Sequence, residues 1–166
     1  FKAWLSITRG PTPCSLAAWA KTCNKESVIK GIDLTNIDFE NVDFGNVTFA
    51  EVNIENCHFN NCTMNQVKIL DSQIKDTKFS NIQGNDIDFS RTCFNQCEII
   101  KSNMNNAKFI ETFINNFNFE NTQMQNINMN RANLSSVDIK ECYIDNSNLS
   151  HIQSDKLNIQ NTCALH

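Results

Sequence analysis

Large apolar residues recur at every fifth position of this chain from Leu34 onward. The register reads Leu34, Phe39, Phe44, Phe49, Ile54, Phe59, Met64, Ile69, Ile74 and Phe79, passes through Gly84, and resumes at Phe89. It then runs through Phe94, Ile99, Met104, Phe109, Ile114, Phe119, Met124, Met129, Leu134, Ile139, Ile144 and Leu149 to Ser154 and Ile159. Of these 26 positions 24 are large and apolar, and all four Met and nine of the 12 Phe fall on them. A second register lies two residues earlier, from Ile32, Ile37 and Val42 to Leu157. Its 26 positions hold no charged residue and no amide, and Phe117 is their one bulky member. The residues between the registers are mostly polar.

The number five decides the geometry. Inward, outward, inward within one repeat is the two-residue alternation of a strand. A straight strand would present every second repeat to the wrong face, because five is odd. A helix drifts about 140° per five residues and loses the register. The chain must therefore turn one corner per repeat. Asn stands two residues after the apolar centre in 12 of 26 repeats, and Asn tolerates the left-handed backbone that corners use. Corners of one hand wind the chain into a β-solenoid that gathers both apolar registers inside and stacks its coils about 4.8 Å apart. Periodicity alone leaves the number of sides open.

Runs such as Ile37-Asp38-Phe39-Glu40-Asn41 and Val42-Asp43-Phe44-Gly45-Asn46 resemble the pentapeptide-repeat family: a small residue, a polar one, Leu or Phe, then two polar ones. The likeness covers roughly residues 32–163 without an insertion. It implies an all-β solenoid, a right-handed quadrilateral β-helix with four repeats per coil, so that 26 repeats make six to seven coils. The chain departs from the commonest pattern in favouring Val, Ile and Cys over Ala at the small inward position, which implies a fuller interior. At Gly84 the apolar centre has no side chain. Either the Met residues of the coils above and below fold into the gap or a small cavity remains. On that basis Gly84→Leu is expected to be tolerated or mildly stabilising, unless the glycine backbone is closed to Leu.

The first 31 residues lack the register. Ser15 to Lys21 reads as a short helix with a Ser N-cap behind Pro11 and Pro13. Residues 1–31 are expected to form a cap, with Trp4 and Trp19 on the first coil, and residues 32–166 the β-helix.

Composition and charge refine this picture. Gly and Pro are scarce, at 4 and 2 copies, which fits corners built from Asn. The net charge of −4 divides into +4 over residues 1–31 and −8 over the rest. An acidic body argues against direct nucleic-acid binding, and no apolar run is long enough for a membrane-spanning helix.

Eight Cys invite a metal or disulfide reading. Cys57, Cys62, Cys97 and Cys142 occupy the inward register, where thiols pack as small apolar groups. Cys57 and Cys97 share a ladder two coils apart, about 10 Å, too far for a bridge. Cys14 and Cys23 flank the expected cap helix and are a candidate disulfide. Bridged, they imply an exported or lumenal protein; otherwise the chain is cytoplasmic. His58, His151 and His166 fall in different coils, so neither a metal site nor a cofactor is expected. No Ser-His-Asp grouping, phosphate loop or inward carboxylate pair maps onto the coil, and no enzyme is expected.

The expected function is a non-enzymatic scaffold or protein-interaction module that self-associates. Leu70, Ile110 and Phe113 are apolar at outward positions and form a candidate interaction patch. The last coil offers Leu149, Ile152, Leu157, Ile159 and Leu165 as an association edge, since an open strand edge is a template for another chain. The resemblance adds the alternative of a DNA-mimicking modulator of a type II topoisomerase. Against it, Asp33, Asp38, Glu40, Asp43, Glu51 and Glu55 ring the girth of the first coils instead of forming an axial stripe. A second alternative is a glycan- or ice-binding face. Asn65, Gln83, Asn85, Asn103, Asn105, Gln123 and Gln125 line one flat, almost uncharged side.

Overall fold

In the computed structural model residues 27–163 are described. The expected cap helix, Trp4, Trp19, Cys14, Cys23 and Leu165 lie outside them. Nine three-residue strands come first: β1 (Val28–Lys30), β2 (Asp33–Thr35), β3 (Asp38–Glu40), β4 (Thr48–Ala50), β5 (Asn53–Glu55), β6 (His58–Asn60), β7 (Lys68–Leu70), β8 (Gln73–Lys75) and β9 (Lys78–Ser80). Four eight-residue strands follow: β10 (Cys93–Ile100), β11 (Phe113–Glu120), β12 (Asn133–Lys140) and β13 (Gln153–Gln160). All pairing is parallel with a constant offset of 20 residues, as in Phe39↔Phe59, Phe59↔Phe79 and Phe117↔Val137. Four repeats per coil is therefore the observed geometry, and the fold is the quadrilateral β-helix. Among the described residues no helix is long and apolar enough to cross a membrane.

The solenoid begins earlier than residue 32. Val28, Ile29 and Lys30 pair with Thr48, Phe49 and Ala50, so the register reaches back at least to Ile29, which is 4% exposed. This corrects the boundary expected at residue 31. Gly31 hid the extra repeat, because it stands at a corner where the other repeats carry a polar side chain.

Every corner uses the same backbone. The 26 residues from Asn36 to Asn161, spaced by five, all have φ between 49 and 64°. Twelve are Asn; the others are Gln, Asp, Glu, Lys, Arg, Ser and His, and none is Pro or β-branched. The left-handed conformation costs an ordinary L-residue about 1–2 kcal/mol, and a β-branched residue tolerates it least. Corner N–H groups bind the next coil: Asn36 donates to Glu55 O at 3.0 Å and Asn106 to Gln125 O at 2.8 Å. Some corners close further as β-turns, with Val47 N donating to Phe44 O at 3.0 Å and Ala107 N to Met104 O at 3.1 Å. Their third residue has positive φ, the type II arrangement. Gln66→Val is therefore expected to destabilise by about 1–2 kcal/mol and Gln66→Asn to be at least as stable as the unmodified chain. Urea denaturation of the two variants checks this.

The interior is apolar and rich in stacked aromatic rings. Phe39, Phe59 and Phe79 stack at 4.6 and 4.9 Å along one ladder. Phe117, bulky where its column is small, packs on Phe119 at 4.5 Å and edge-on to Phe94 at 5.3 Å. Polar members of the inward register also have a task. Ser72, Thr77 and Ser102 present hydroxyls that accept from Val52 N, Cys57 N and Ile82 N at 3.0 to 3.3 Å, and donate to carbonyls at 2.7 to 2.8 Å. They satisfy the N–H groups of inward residues just after the corners, which would otherwise be buried unpaired.

Candidate functional site

Because the core is filled, the outward positions carry any function, and they fall into columns of residues 20 apart. Charge pairs cross from coil to coil along these columns. Arg91 Nε lies 2.7 Å from Asp71, Lys75 Nζ 2.7 Å from Glu55, Lys78 Nζ 2.7 Å from Glu98, and Arg131 Nη1 3.3 Å from Glu111. The hydrogen bond from Arg91 holds the Asp71 carboxyl below its ordinary range, and the one Lys75 donates to Glu55 raises the lysine above its own. Such solvated pairs contribute little stability, but they neutralise the surface locally. In the acidic belt Lys30 Nζ meets Glu51 at 2.9 Å, Asn60 Nδ2 meets Glu40, and Asn53 Nδ2 meets Asp33 at 2.7 Å. No column of the described coils carries more than two carboxylates in succession.

One Ser–His contact escaped the sequence. Ser80 Oγ lies 2.8 Å from His58 Nε2. The two are 22 residues apart, one coil and two positions, a separation without a sequence signature. Its proton flow is set by Glu40. That carboxylate only accepts, so Asn60 turns its Nδ2 toward it at 2.9 and 3.0 Å and its Oδ1 toward Ser80 at 2.9 Å. Ser80 spends its one proton on Asn60 and accepts from His58, which must carry its proton on Nε2. An imidazole in that state cannot deprotonate the hydroxyl, and Ser80 is 5% exposed. The chain Glu40–Asn60–Ser80–His58 ties three coils together.

The inward thiols are buried and hydrogen-bonded. Cys57 Sγ contacts Leu34 O at 3.3 Å, and Cys97 Sγ contacts Asn95 O at 3.3 Å. Burial raises Cys57, Cys62 and Cys142 above the ordinary thiol range and pushes Cys97 up to about 11. Cys93 and Cys163 are exposed and unbridged. Under native conditions a disulfide-exchange reagent is expected to modify Cys93 and Cys163 rapidly. Cys57, Cys62, Cys97 and Cys142 should react only on unfolding, since the thiolate is the nucleophile. Peptide mapping of the labelled protein decides it. Among the described residues no group of three His, Cys, Asp or Glu could hold a metal.

The three residues of the candidate patch separate. Leu70 and Ile110 are half-buried in one column, two coils apart, whereas Phe113 is 60% exposed. Phe113 pairs with exposed Cys93 in one coil and Asn133 in the next. It forms one wall of an open groove of about 410 Å³ with Arg131, Asn133, His151 and Gln153. Leu149, Ile152 and Leu157 of the expected association edge are partly buried and Ile159 is 46% exposed. Within the described residues β13 pairs with β12 alone.

The amide face has two kinds of member. Asn65 Oδ1 accepts from Asn85 N at 2.9 Å, Asn105 Oδ1 from Gln125 N at 2.9 Å, and Gln125 Nε2 donates to Asp145 at 3.1 Å. This column is an internal ladder. In the neighbouring column Thr63, Gln83, Asn103, Gln123 and Tyr143 are joined by parallel backbone bridges. Gln83, Asn103, Gln123 and Tyr143 of this column rim a second open groove, of about 430 Å³, with Lys101, Ser102 and Asn121.

The architecture is that of an uninterrupted β-solenoid whose chemistry is confined to repetitive outer columns. A family model described as pentapeptide repeat region matches residues 32–94, and one described as pentapeptide repeats (8 copies) matches residues 115–150. The chain belongs to the pentapeptide-repeat family. No curated protein matches it. Among solved structures it is similar to HetL, a pentapeptide repeat protein involved in heterocyst differentiation regulation from the cyanobacterium Nostoc sp. strain PCC 7120. The TM-score is 0.51 at 10% identity, over 80% of this chain and 85% of that one. Rfr23 from the cyanobacterium Cyanothece 51142 gives 0.49 at 14% identity, over 92% and 99%. QnrB1, a plasmid-mediated fluoroquinolone resistance protein, gives 0.39 at 13% identity, over 84% and 92%. The likeness to HetL bears on the fold alone.

Proposed function

We propose that this protein is a non-enzymatic protein-interaction module that binds its partner through the surface around Phe113. The supporting observation is the 60% exposure of a phenylalanine in a column whose other members are Asp33, Asn53, Gln73, Cys93, Asn133 and Gln153. An exposed aromatic at the wall of a groove, ringed by Arg131, His151 and amides, has the make-up of an interface anchor within a polar rim. A second copy of the chain is the partner offered by the edge of β13, where Ile159 is exposed and one side of the strand lacks a partner among the described residues. The topoisomerase alternative requires an axial stripe of carboxylates, and no column of the described coils carries more than two in succession.

Two measurements test the reading. Sedimentation of the full chain at micromolar concentration is expected to show self-association that Leu157→Lys with Ile159→Lys abolishes. Proximity labelling in the native cell, compared with Phe113→Ser, is expected to lose its principal partner. Truncation of an exposed side chain leaves the core intact, so a labelled set identical for both proteins would sink the Phe113 assignment.

A further inference from the structure

On the methionine face, whose centres are Phe44, Met64, Gly84, Met104, Met124 and Ile144, the outward chemistry departs from that of the other three faces. Across the four coil segments 61–66, 81–86, 101–106 and 121–126, 13 of 16 outward residues are Asn or Gln, and Lys101 and Asp86 are the only charges. Amide ladders that hold coils together account for part of this, as Asn65, Asn105 and Gln125 show. They do not account for the groove beside them. The side chains of Gln83, Lys101, Asn121, Gln123 and Tyr143 all line it. None of the five makes a side-chain hydrogen bond or ion pair within the described residues. A ladder role would have used these donors and acceptors. Tyr143 is 49% exposed and continues the row of Gln83, Asn103 and Gln123 by one coil, its backbone bridged to Gln123.

From this we infer a binding site for a neutral oligosaccharide, with Tyr143 as the stacking platform and Gln83, Gln123, Asn121 and Lys101 as hydroxyl-binding groups. The chemistry of the lining selects the ligand. Carboxamides both donate and accept, as sugar hydroxyls do, and the apolar face of a pyranose ring suits an exposed aromatic ring. A charged ligand would meet one cation and no anion in the groove, too little to outweigh its desolvation. The row is spaced by coils at about 4.8 Å, and its backbone bridges hold it rigid, so binding orders little of the protein. Ice would require a flat array of like residues, whereas Tyr143 projects from one end of a mixed row.

The test uses the full chain and a panel of neutral hexasaccharides built from glucose, mannose, galactose, xylose or N-acetylglucosamine. Binding is followed by the side-chain NH₂ signals of Gln83, Asn121 and Gln123 in NMR, which locates the site without any substitution. At least one hexasaccharide is expected to shift these signals saturably. Tyr143→Ala should weaken binding about tenfold or more, Tyr143→Phe by no more than about threefold, and Gln83→Ala with Gln123→Ala again by about tenfold. Lys68→Ala, an exposed position on another face and outside both grooves, serves as the unaffected control. Absence of binding across the panel at about 10 mM overturns the inference, as do shifts confined to another face or affinity unchanged in Tyr143→Ala. Inhibition of ice recrystallisation without saccharide binding likewise overturns it and assigns the face to ice.

Discussion

Phe59→Ala is expected to remove about 3–5 kcal/mol of stability, the largest loss from any single truncation proposed for this chain. Phe59 is 1% exposed and sits between Phe39, at 4.6 Å and nearly parallel, and Phe79, at 4.9 Å and 7°. Phe44 meets it edge-on at 5.8 Å. Truncation breaks both stacks at once and leaves a void between two rings held apart by the coil spacing. Neither ring can close on the other without pulling a backbone ladder out of register. Small relaxation puts the cost toward the upper part of the range. A solenoid also localises damage, because each coil contacts only its neighbours. Amide protection should therefore fall across β3, β6 and β9 while β12 keeps most of its own. Chemical denaturation gives the loss and hydrogen exchange gives its distribution. A loss under about 1 kcal/mol, or a uniform fall in protection, would show that the aromatic stack is not what holds these coils.

Most of the fold was legible because one constraint repeats in every coil. The apolar centres and small inward positions must point inside, so their identities carry the register wherever the chain is read. Corners were legible where they are Asn. They were hidden at Glu51, Arg91, Lys101, Arg131 and His151, which adopt the same positive φ without a compositional cue. At those corners the stacked ladder overrides residue preference. The hydroxyls of Ser72, Thr77 and Ser102 read simply as small residues, since the inward-register N–H groups they accept from are invisible until the coils are stacked. The outward surface was least legible. Nothing in the repeat constrains an outward residue, so function there shows only as a departure from the column, as with Phe113 and Tyr143. Leu70 and Ile110 stand at outward positions of the repeat but are half-buried. Alternation gives the direction of a side chain and not how far its neighbours cover it. The helical cap drew on propensity in a segment outside the repeat and outside the described residues.

Gly84→Leu is expected to destabilise by about 1–3 kcal/mol, against the tolerance that the repeat alone suggests. Gly84 has no positive φ, so its backbone is open to Leu and the first objection to the substitution disappears. The space is another matter. A Cβ placed on Gly84 would lie 3.0 Å from Met104 Sδ, 3.3 Å from Ile82 Cγ2 and 3.4 Å from Asn103 O. The methionine of the next coil already occupies the gap, as its flexible thioether allows, and it is 1% exposed. A single methyl needs only a small shift of that sulfur. Gly84→Ala should thus be near neutral, with the reduced freedom of the unfolded chain offsetting the tight contact. Leu carries three more carbons into the same volume and must expel Met104 into a packed interior. The two residues should therefore be coupled. Met104→Ala alone is expected to cost about 2–5 kcal/mol, yet adding it to Gly84→Leu should cost far less, because the leucine fills the vacated space. Denaturant titration of the four proteins measures that coupling. Strict additivity, or a Gly84→Leu protein as stable as the unmodified chain, would mean that Met104 does not hold the gap in solution.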